Sequence, residues 1–427
     1  MDFARKEGCD EVRVAFETAQ GTSFEVRDMQ IDCIRRRAES CLNFHFFVAG
    51  RFGAFSTNRL EKEELERFIR NGIAATRLVA EDGAWRLPDA DRYYVGGLPG
   101  LDLDDPHFDA IDNEAKIALA MSACAEMTGK DARILSATSS FEDCRDASYM
   151  LASNGFEGEQ SATAYTLCAQ VSVQDGGSPA RPEDYWYDSA PFFTDLTKKG
   201  IGDRAVQRVL AKLGQKPIAS GKYTMLLDNT LSSRFLSPLI GALYGAAIQQ
   251  DNSFLLNKIG ERIANERVTV MDAPHIPRAF GARYFDGEGV ATTPRPIISE
   301  GVLQTYFLDT YYAGKLNLPP TISSPSLLTM QGGNKGCGEL LADMARGIWV
   351  TGLNGGNCNG TTGDFSYGME GFLVENGRPV RPLSEMNITG NMLSLWQQMT
   401  EAGNDPLPVS SWRIPSLLFE GVDFSGC

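Results

Sequence analysis

Between Glu11 and Asn58 apolar and polar side chains tend to alternate, in the run EVRVAFETAQGTSFEVRDMQIDCIRRRAESCLNFHFFVAGRFGAFSTN. A period of two sends successive side chains to opposite faces, which suits half-buried strands and commits the chain to a sheet at its start. Breaks at Gln20-Gly21, Asp28 and Gly50 divide the run into four short strands, an antiparallel meander. A helix follows over 62–79, where Leu65, Phe68, Ile69, Ile73 and Leu78 fall near helical spacing. Residues 85–110, rich in Pro, Gly, Asp and Tyr, read as a loop. Asp112 then caps a helix that ends at Gly129. Strand signals return over 132–153 and 161–177, and a helix over 203–214 closes the first half.

The segment QKPIASG, 215–221, reads as a linker. We therefore expect an α+β protein of two domains. Residues 1–218 form an antiparallel sheet with helices, and residues 219–427 a strand-rich antiparallel domain with one buried helix. That helix is expected over SRFLSPLIGALYGAAI, 233–248, after a strand over 222–228. Ser237 followed by Pro238 makes a good N-cap and first helical position, so the helix is expected to begin there. Leu236, Leu239, Ile240, Leu243 and Ala247 give an apolar stripe, and Gly241, Ala242, Gly245 and Ala246 a small-residue surface for close packing. VENGRPV predicts a hairpin turning at Asn376-Gly377.

Composition excludes several function classes. With a formal net charge of −15, the chain repels phosphate backbones, and its one basic run, Arg35-Arg36-Arg37, reads as a solvated strand face or turn, so no nucleic-acid partner is expected. The longest apolar run, LIGALYGAAI, is half of the roughly 20 residues that a membrane span needs, and no secretory signal opens the sequence. Nine cysteines without a C-x-x-C pair point to reduced thiols and a cytoplasmic setting.

The catalytic vocabulary is sparse. The three histidines are His45 in an apolar strand, His107 in an acidic loop, and His275 between two prolines in a turn that could face a cleft. None pairs with another at helical spacing, so no H-E-x-x-H zinc helix exists. The glycine-rich runs 332–338 and 352–363 match neither nucleotide-binding fingerprint and read as turns and loops between strands. No G-x-S-x-G elbow occurs. Asp286 and Glu288, two apart on a glycine-flanked loop, could bind a cation or position a peptide, or simply cap a turn.

In the second half the residues become specific. GDFSYGMEGFLVENGRPVRPLSEMNITGN (363–391), followed by GND (403–405), strongly resembles the TldD/PmbA family, as do 285–318 and SFLLNKIGERI at 253–263. The resemblance extends over essentially the whole chain, although the first helix expected of the family is nearly absent at its start. It implies cytosolic peptidase subunits, once labelled modulators of DNA gyrase. TldD-like members resemble zinc metallopeptidases with H-E-x-x-x-H on a helix and a later Cys, whereas PmbA-like (TldE) members lack that motif and pair with a TldD-like subunit.

Aligned on this resemblance, Ser237 stands at the first His, Pro238 at the Glu, Ala242 at the second His and Ile414 at the Cys, with Cys427 a poor substitute. A catalytic zinc needs about three protein ligands, and these positions supply none. The resemblance thus implies a non-catalytic TldE-like subunit with no metal or cofactor of its own. Zinc would sit in a TldD-like partner, and an unstructured peptide would be the substrate. Candidate chamber-lining residues are Asp286, Glu288, Asp364 and Asn404. Two alternatives stay open: a homodimeric peptidase with a metal site of Asp286, Glu288 and His275, and a regulatory binding protein such as a modulator of DNA gyrase. A homodimer is compatible with each.

Overall fold

A computed structural model describes residues 1–177 and 179–426. After a five-residue helix α1 (Asp2–Lys6), three strands run β1 (Glu11–Arg27), β2 (Gln30–Val48) and β3 (Arg51–Thr57). The meander has three strands where the sequence suggested four. Asp28-Met29 and Ala49-Gly50 do turn the chain, each residue with positive φ. Gln20-Gly21 does not. A Cβ on Gly21 would fall 2.2 Å from the Asp143 carbonyl oxygen, so this glycine marks a close strand approach and not a turn.

Helix α2 (Lys62–Thr76) follows, and the 85–110 segment carries only two short 3-10 turns. Helix α3 (Asn113–Ala125) starts where Asp112 accepts a hydrogen bond from the Ala115 N–H. Then come β4 (Ile134–Ala152), β5 (Glu157–Val173), β6 (Glu183–Ala190) and helix α4 (Ile201–Ala211). The six strands form one antiparallel sheet in the order β3-β2-β1-β4-β5-β6. Phe141, Tyr165 and Leu167 of that sheet bury against α3 and α4.

The second half holds two sheets. Strand β7 (Gly221–Leu227) leads into helices α5 (Asn229–Gly241) and α6 (Gly245–Gln249), then β8 (Val270–Asp272), β9 (Arg295–Ser299) and β10 (Val302–Leu303). Helix α7 (Thr310–Leu316), β11 (Leu328–Met330) and α8 (Cys337–Asp343) precede the long strands β12 (Arg346–Cys358), β13 (Asp364–Glu375) and β14 (Arg378–Asn391). Helix α9 (Met392–Gln397), β15 (Met399–Ala402), β16 (Trp412–Arg413) and β17 (Leu417–Ser425) finish the fold. The large sheet is ordered β14-β13-β12-β7-β17-β15 and the small one β10-β9-β8-β11-β16. Pairing is mostly antiparallel, but β7–β12 and β11–β16 are parallel. Asn376 and Gly377 turn β13 into β14 with φ of 51° and 74°, the left-handed pair that a two-residue hairpin needs. Of the run 352–363, expected as turns and loops between strands, residues 352–358 lie within β12 as a bulged strand.

The main core fills the space between the two C-terminal sheets and α5, with Trp396, Phe235, Phe307 and Phe419 fully buried. A smaller cluster, including Ala15, Phe47, Phe156 and Phe285, joins the two halves. Among the described residues no helix is long and apolar enough to cross a membrane.

One glycine of the family-like segment bears strongly on this core. At Gly301, φ is +78° and a Cβ would meet the Ala264 and Asn265 carbonyl oxygens at 2.2 and 2.6 Å. Gly301→Ala should destabilise the protein by more than about 2 kcal/mol. Urea denaturation would check this, and a shift below about 0.5 kcal/mol would contradict it.

Candidate functional site

Helix α5 begins eight residues before the Ser237-Pro238 start expected from sequence. The reason is Asp228, at the end of β7. Its Oδ1 accepts from the Thr230 N–H at 3.1 Å and the Thr230 hydroxyl at 2.6 Å, which caps a helix starting at Asn229. Its own N–H donates to the Val350 carbonyl, tying the cap to β12. Pro238 therefore sits inside the helix, where it has no N–H to give the Arg234 carbonyl. The expected single helix also breaks at 242–244 and restarts as α6. There a Cβ on Gly245 would lie 2.5 Å from Tyr312 Cβ, so glycine permits the contact with α7. Phe235, Leu236, Leu239, Ile240 and Leu243 face the core, while Ala247 is half-buried on α6.

The outer face of α5 borders a cavity of about 340 Å³. Ser237, Pro238 and Ala242 line it together with Gly241, which has open space where a Cβ would be. The opposite wall is Gly356, Asn357 and Cys358 of β12 and Tyr367 of β13. Ile414 does not line this cavity and is buried in the main core. Cys427 lies outside the described residues. The structure thus brings three of the four aligned positions to one hollow.

Among the described residues no carboxylate lines the hollow. Burial pushes the Tyr367 phenol up to about 12, against the lowering influence of Arg234, and burial followed by Asp364 pushes the Cys358 thiol up. Both therefore stay protonated near neutral pH. Asp364 stands beyond the cavity wall, exposed. The Asn391 amide donates to its Oδ1 at 3.0 Å and the Thr362 hydroxyl to its Oδ2 at 2.8 Å, holding it below the usual carboxylate range. These surroundings do not fit zinc: they offer hydroxyls, a neutral thiol and a guanidinium, with neither imidazole nor carboxylate. Among the described residues no group of three or more His, Cys, Asp or Glu could hold a metal ion. No step through a metal is derived for this chain.

The remaining candidates lie elsewhere. Asp286 is 2% exposed. Its Oδ1 accepts from the N–H groups of Glu288 and Val290 at 2.9 and 3.0 Å, and its Oδ2 from that of Ser323 at 3.0 Å. Glu288 Oε2 accepts from the N–H and hydroxyl of Thr310, each at 2.9 Å, while Oε1 is 3.8 Å from an Arg13 nitrogen. Burial raises the Glu288 carboxyl against the influence of Arg13. Asp286 and Glu288 therefore brace the loop that links β1 to α7. His275 Nε2 sits 3.0 Å from Thr292 Oγ1, and that hydroxyl donates to the Arg283 carbonyl. Asn404 is exposed and donates to the Asn334 carbonyl at 3.0 Å. Its neighbour Asp405 accepts from Asn229 at the other end of α5. His45 Nδ1 takes the Arg13 guanidinium, and His107 is exposed at the start of a 3-10 turn.

Arg234, Cys358 and Tyr367 escaped the sequence reading as site residues. The one available signal was Gly355-Gly356, a glycine pair at which β12 bulges without ending.

Comparisons with known proteins give a consistent picture. Residues 220–426 match the family model for the PmbA/TldA metallopeptidase C-terminal domain, and residues 106–213 that for the PmbA/TldA metallopeptidase central domain. Metalloprotease PmbA of Escherichia coli O157:H7 is 26% identical over 421 residues, covering 98% of this chain and 92% of that protein. A crystal structure from Bacteroides thetaiotaomicron, described as a proposed modulator of DNA gyrase, is 53% identical with a TM-score of 0.98. That match covers 100% of this chain and 97% of the other. TldE from Thermococcus kodakarensis, 20% identical, shares the fold with a TM-score of 0.88 over 100% of this chain and 98% of its own.

Proposed function

Because the chain belongs to the PmbA/TldD metallopeptidase family, we propose that it is the non-catalytic, TldE-like subunit of a two-subunit zinc peptidase acting on unstructured peptides. The observation that carries this reading is helix α5. At the aligned positions it presents Ser237, Pro238 and Ala242 to an open hollow, with Arg234 on the same wall. A cationic, carboxylate-free pocket is the reverse of what a zinc ion and its general base require.

In this reading the chain shapes a chamber whose zinc and base belong to a cytoplasmic TldD-like partner. Asp364 and Asn404 are exposed and offer their side chains to that chamber. Asp286 and Glu288 act behind them by fixing the loop between the halves.

The test uses the purified chain alone and mixed with a TldD-like subunit from the same source. The lone chain is expected to carry no stoichiometric zinc and to leave an unstructured peptide intact. The mixture is expected to cleave faster than the TldD-like subunit by itself. Bound metal and cleavage by the lone chain would overturn the reading. Partner binding with no gain in cleavage would support a regulatory role instead.

A further inference from the structure

The subunit reading makes this chain a wall of a peptide chamber, and the present inference rests on it. Strand β12 pairs with β7 only through Gly347–Val350. From Thr351 to Cys358 no described strand pairs with the side of β12 that faces away from β13. Exposed edges are normally blunted by charge, proline or a bulge; this stretch reads TGLNGGNC, with neither charge nor proline, and carries a bulge at Gly355-Gly356. Gly355 and Gly356 have φ of +88° and +106°, and a Cβ on Gly356 would lie 2.1 Å from the Ser366 carbonyl oxygen. Glycine here lets the bulged strand stay on β13 while its other edge remains open.

Two hollows follow that edge. The larger, about 590 Å³, is lined by Thr351–Asn354, and the smaller, about 340 Å³, by Gly356–Cys358. Arg234 lines both. Asn252 and Gly360 also line the smaller one, and their segments are joined by the Phe254 N–H donating to the Gly360 carbonyl at 2.9 Å.

Charge selects the occupant. In a chain of net charge −15, the smaller hollow has no acidic lining residue, and Arg234 has no acid partner among the described residues. The acids of the larger hollow are largely committed. Asp184 lies 3.2 Å from both Arg208 and Lys212, Glu370 lies 2.7 Å from Lys212, and Glu183 accepts from Gln170. Ser237 and Asn357 add uncharged donors beside Arg234. An open strand edge beside the exposed Arg234 guanidinium, which has no acid partner among the described residues, suits an extended chain that brings a carboxylate. We propose that this groove binds an extended peptide as an added strand along Thr351–Cys358, with the peptide's C-terminal carboxylate held at Arg234.

The test measures binding of an uncharged, N-terminally labelled octapeptide by fluorescence anisotropy, as the free acid and as the C-terminal amide. The free acid should bind at least about fivefold more tightly, the share of a charge-assisted hydrogen bond at an exposed site. Arg234→Gln should abolish that preference with an unchanged melting temperature, and Arg234→Lys should restore part of it. Equal binding of acid and amide, or a preference that survives Arg234→Gln, would overturn the inference while leaving the subunit reading intact. Tighter binding of an amidated peptide with an internal Glu would overturn the C-terminal assignment. Failure of both peptides to bind would also overturn it, and the mixed cleavage assay decides the subunit reading separately.

Discussion

Asp143→Ala should destabilise the protein by about 3–5 kcal/mol, the usual cost of leaving a buried charge without its partner. Asp143 lies in the middle of β4, with its side chain 1% exposed. Its Oδ1 accepts from the Thr22 N–H at 2.8 Å and the Thr22 hydroxyl at 2.9 Å. Its Oδ2 is 2.6 Å from the Lys116 ammonium, close enough for an ion pair though off line for a hydrogen bond. Lys116 reaches down from α3, its side chain 6% exposed, so neither charge has water to fall back on. Alanine at 143 would strand a cation and a strand N–H together. The double replacement Lys116→Met/Asp143→Leu should recover the part of the loss due to the stranded cation, while the Thr22 N–H still lacks its acceptor. Guanidinium unfolding of the wild type, the single and the double variant would decide it. A single-variant loss below about 1 kcal/mol would show that the pair is solvated or replaced.

The second large effect depends on pH. Burial, followed by the adjacent Arg13 guanidinium, holds His45 down to about 4, against an ordinary value of 6.5. The folded state therefore prefers the neutral ring, and the unfolded chain takes up the proton first as pH falls. The resulting stability is complete above about pH 6.5 and is lost as pH falls toward 4, up to roughly 3 kcal/mol. Paired carboxylates also lose stability in that window, but they do so with or without His45. The informative quantity is thus the difference between wild type and His45→Gln, whose amide oxygen can still accept from Arg13. Unfolding free energies at pH 7 and pH 4.5 should show the variant losing about 2–3 kcal/mol less than the wild type. Equal losses would mean that His45 is already protonated in the folded protein.

Much of this fold was legible where a local rule acts alone. Asp112 caps α3, and Asn376-Gly377 turns β13 into β14, because each uses only its own backbone and a short side chain. The errors arose where a residue serves something distant in sequence. Gly21 looked like a turn because glycine usually marks one, but it answers to Asp143, which lies 122 positions on (143 minus 21). Ser237-Pro238 looked like a helix start because the pattern fits, but Asp228 had already capped the helix two turns earlier. The candidate site was legible in what it lacks. It is the resemblance to the TldD/PmbA family that sets Ser237, Pro238 and Ala242 against a His, a Glu and a His. What fills that place was not legible, since Arg234, Cys358 and Tyr367 meet only after β12 and β13 fold against α5.

The order of strands in the large sheet also sets a clock. Strand β7 is the first of that sheet to be synthesised, yet it lies between β12 and β17, with Leu227 paired to Leu417 across 190 residues (417 minus 227). At about 5–20 residues per second, a ribosome needs roughly 10–40 s to supply that neighbour. The first sheet has all its strands by Ala190 and can close while translation continues. The second half must instead wait with β7 unpaired along one edge. Its assembly is governed by the arrival of β17, and during that interval the nascent chain is most exposed to mispairing and most dependent on chaperones.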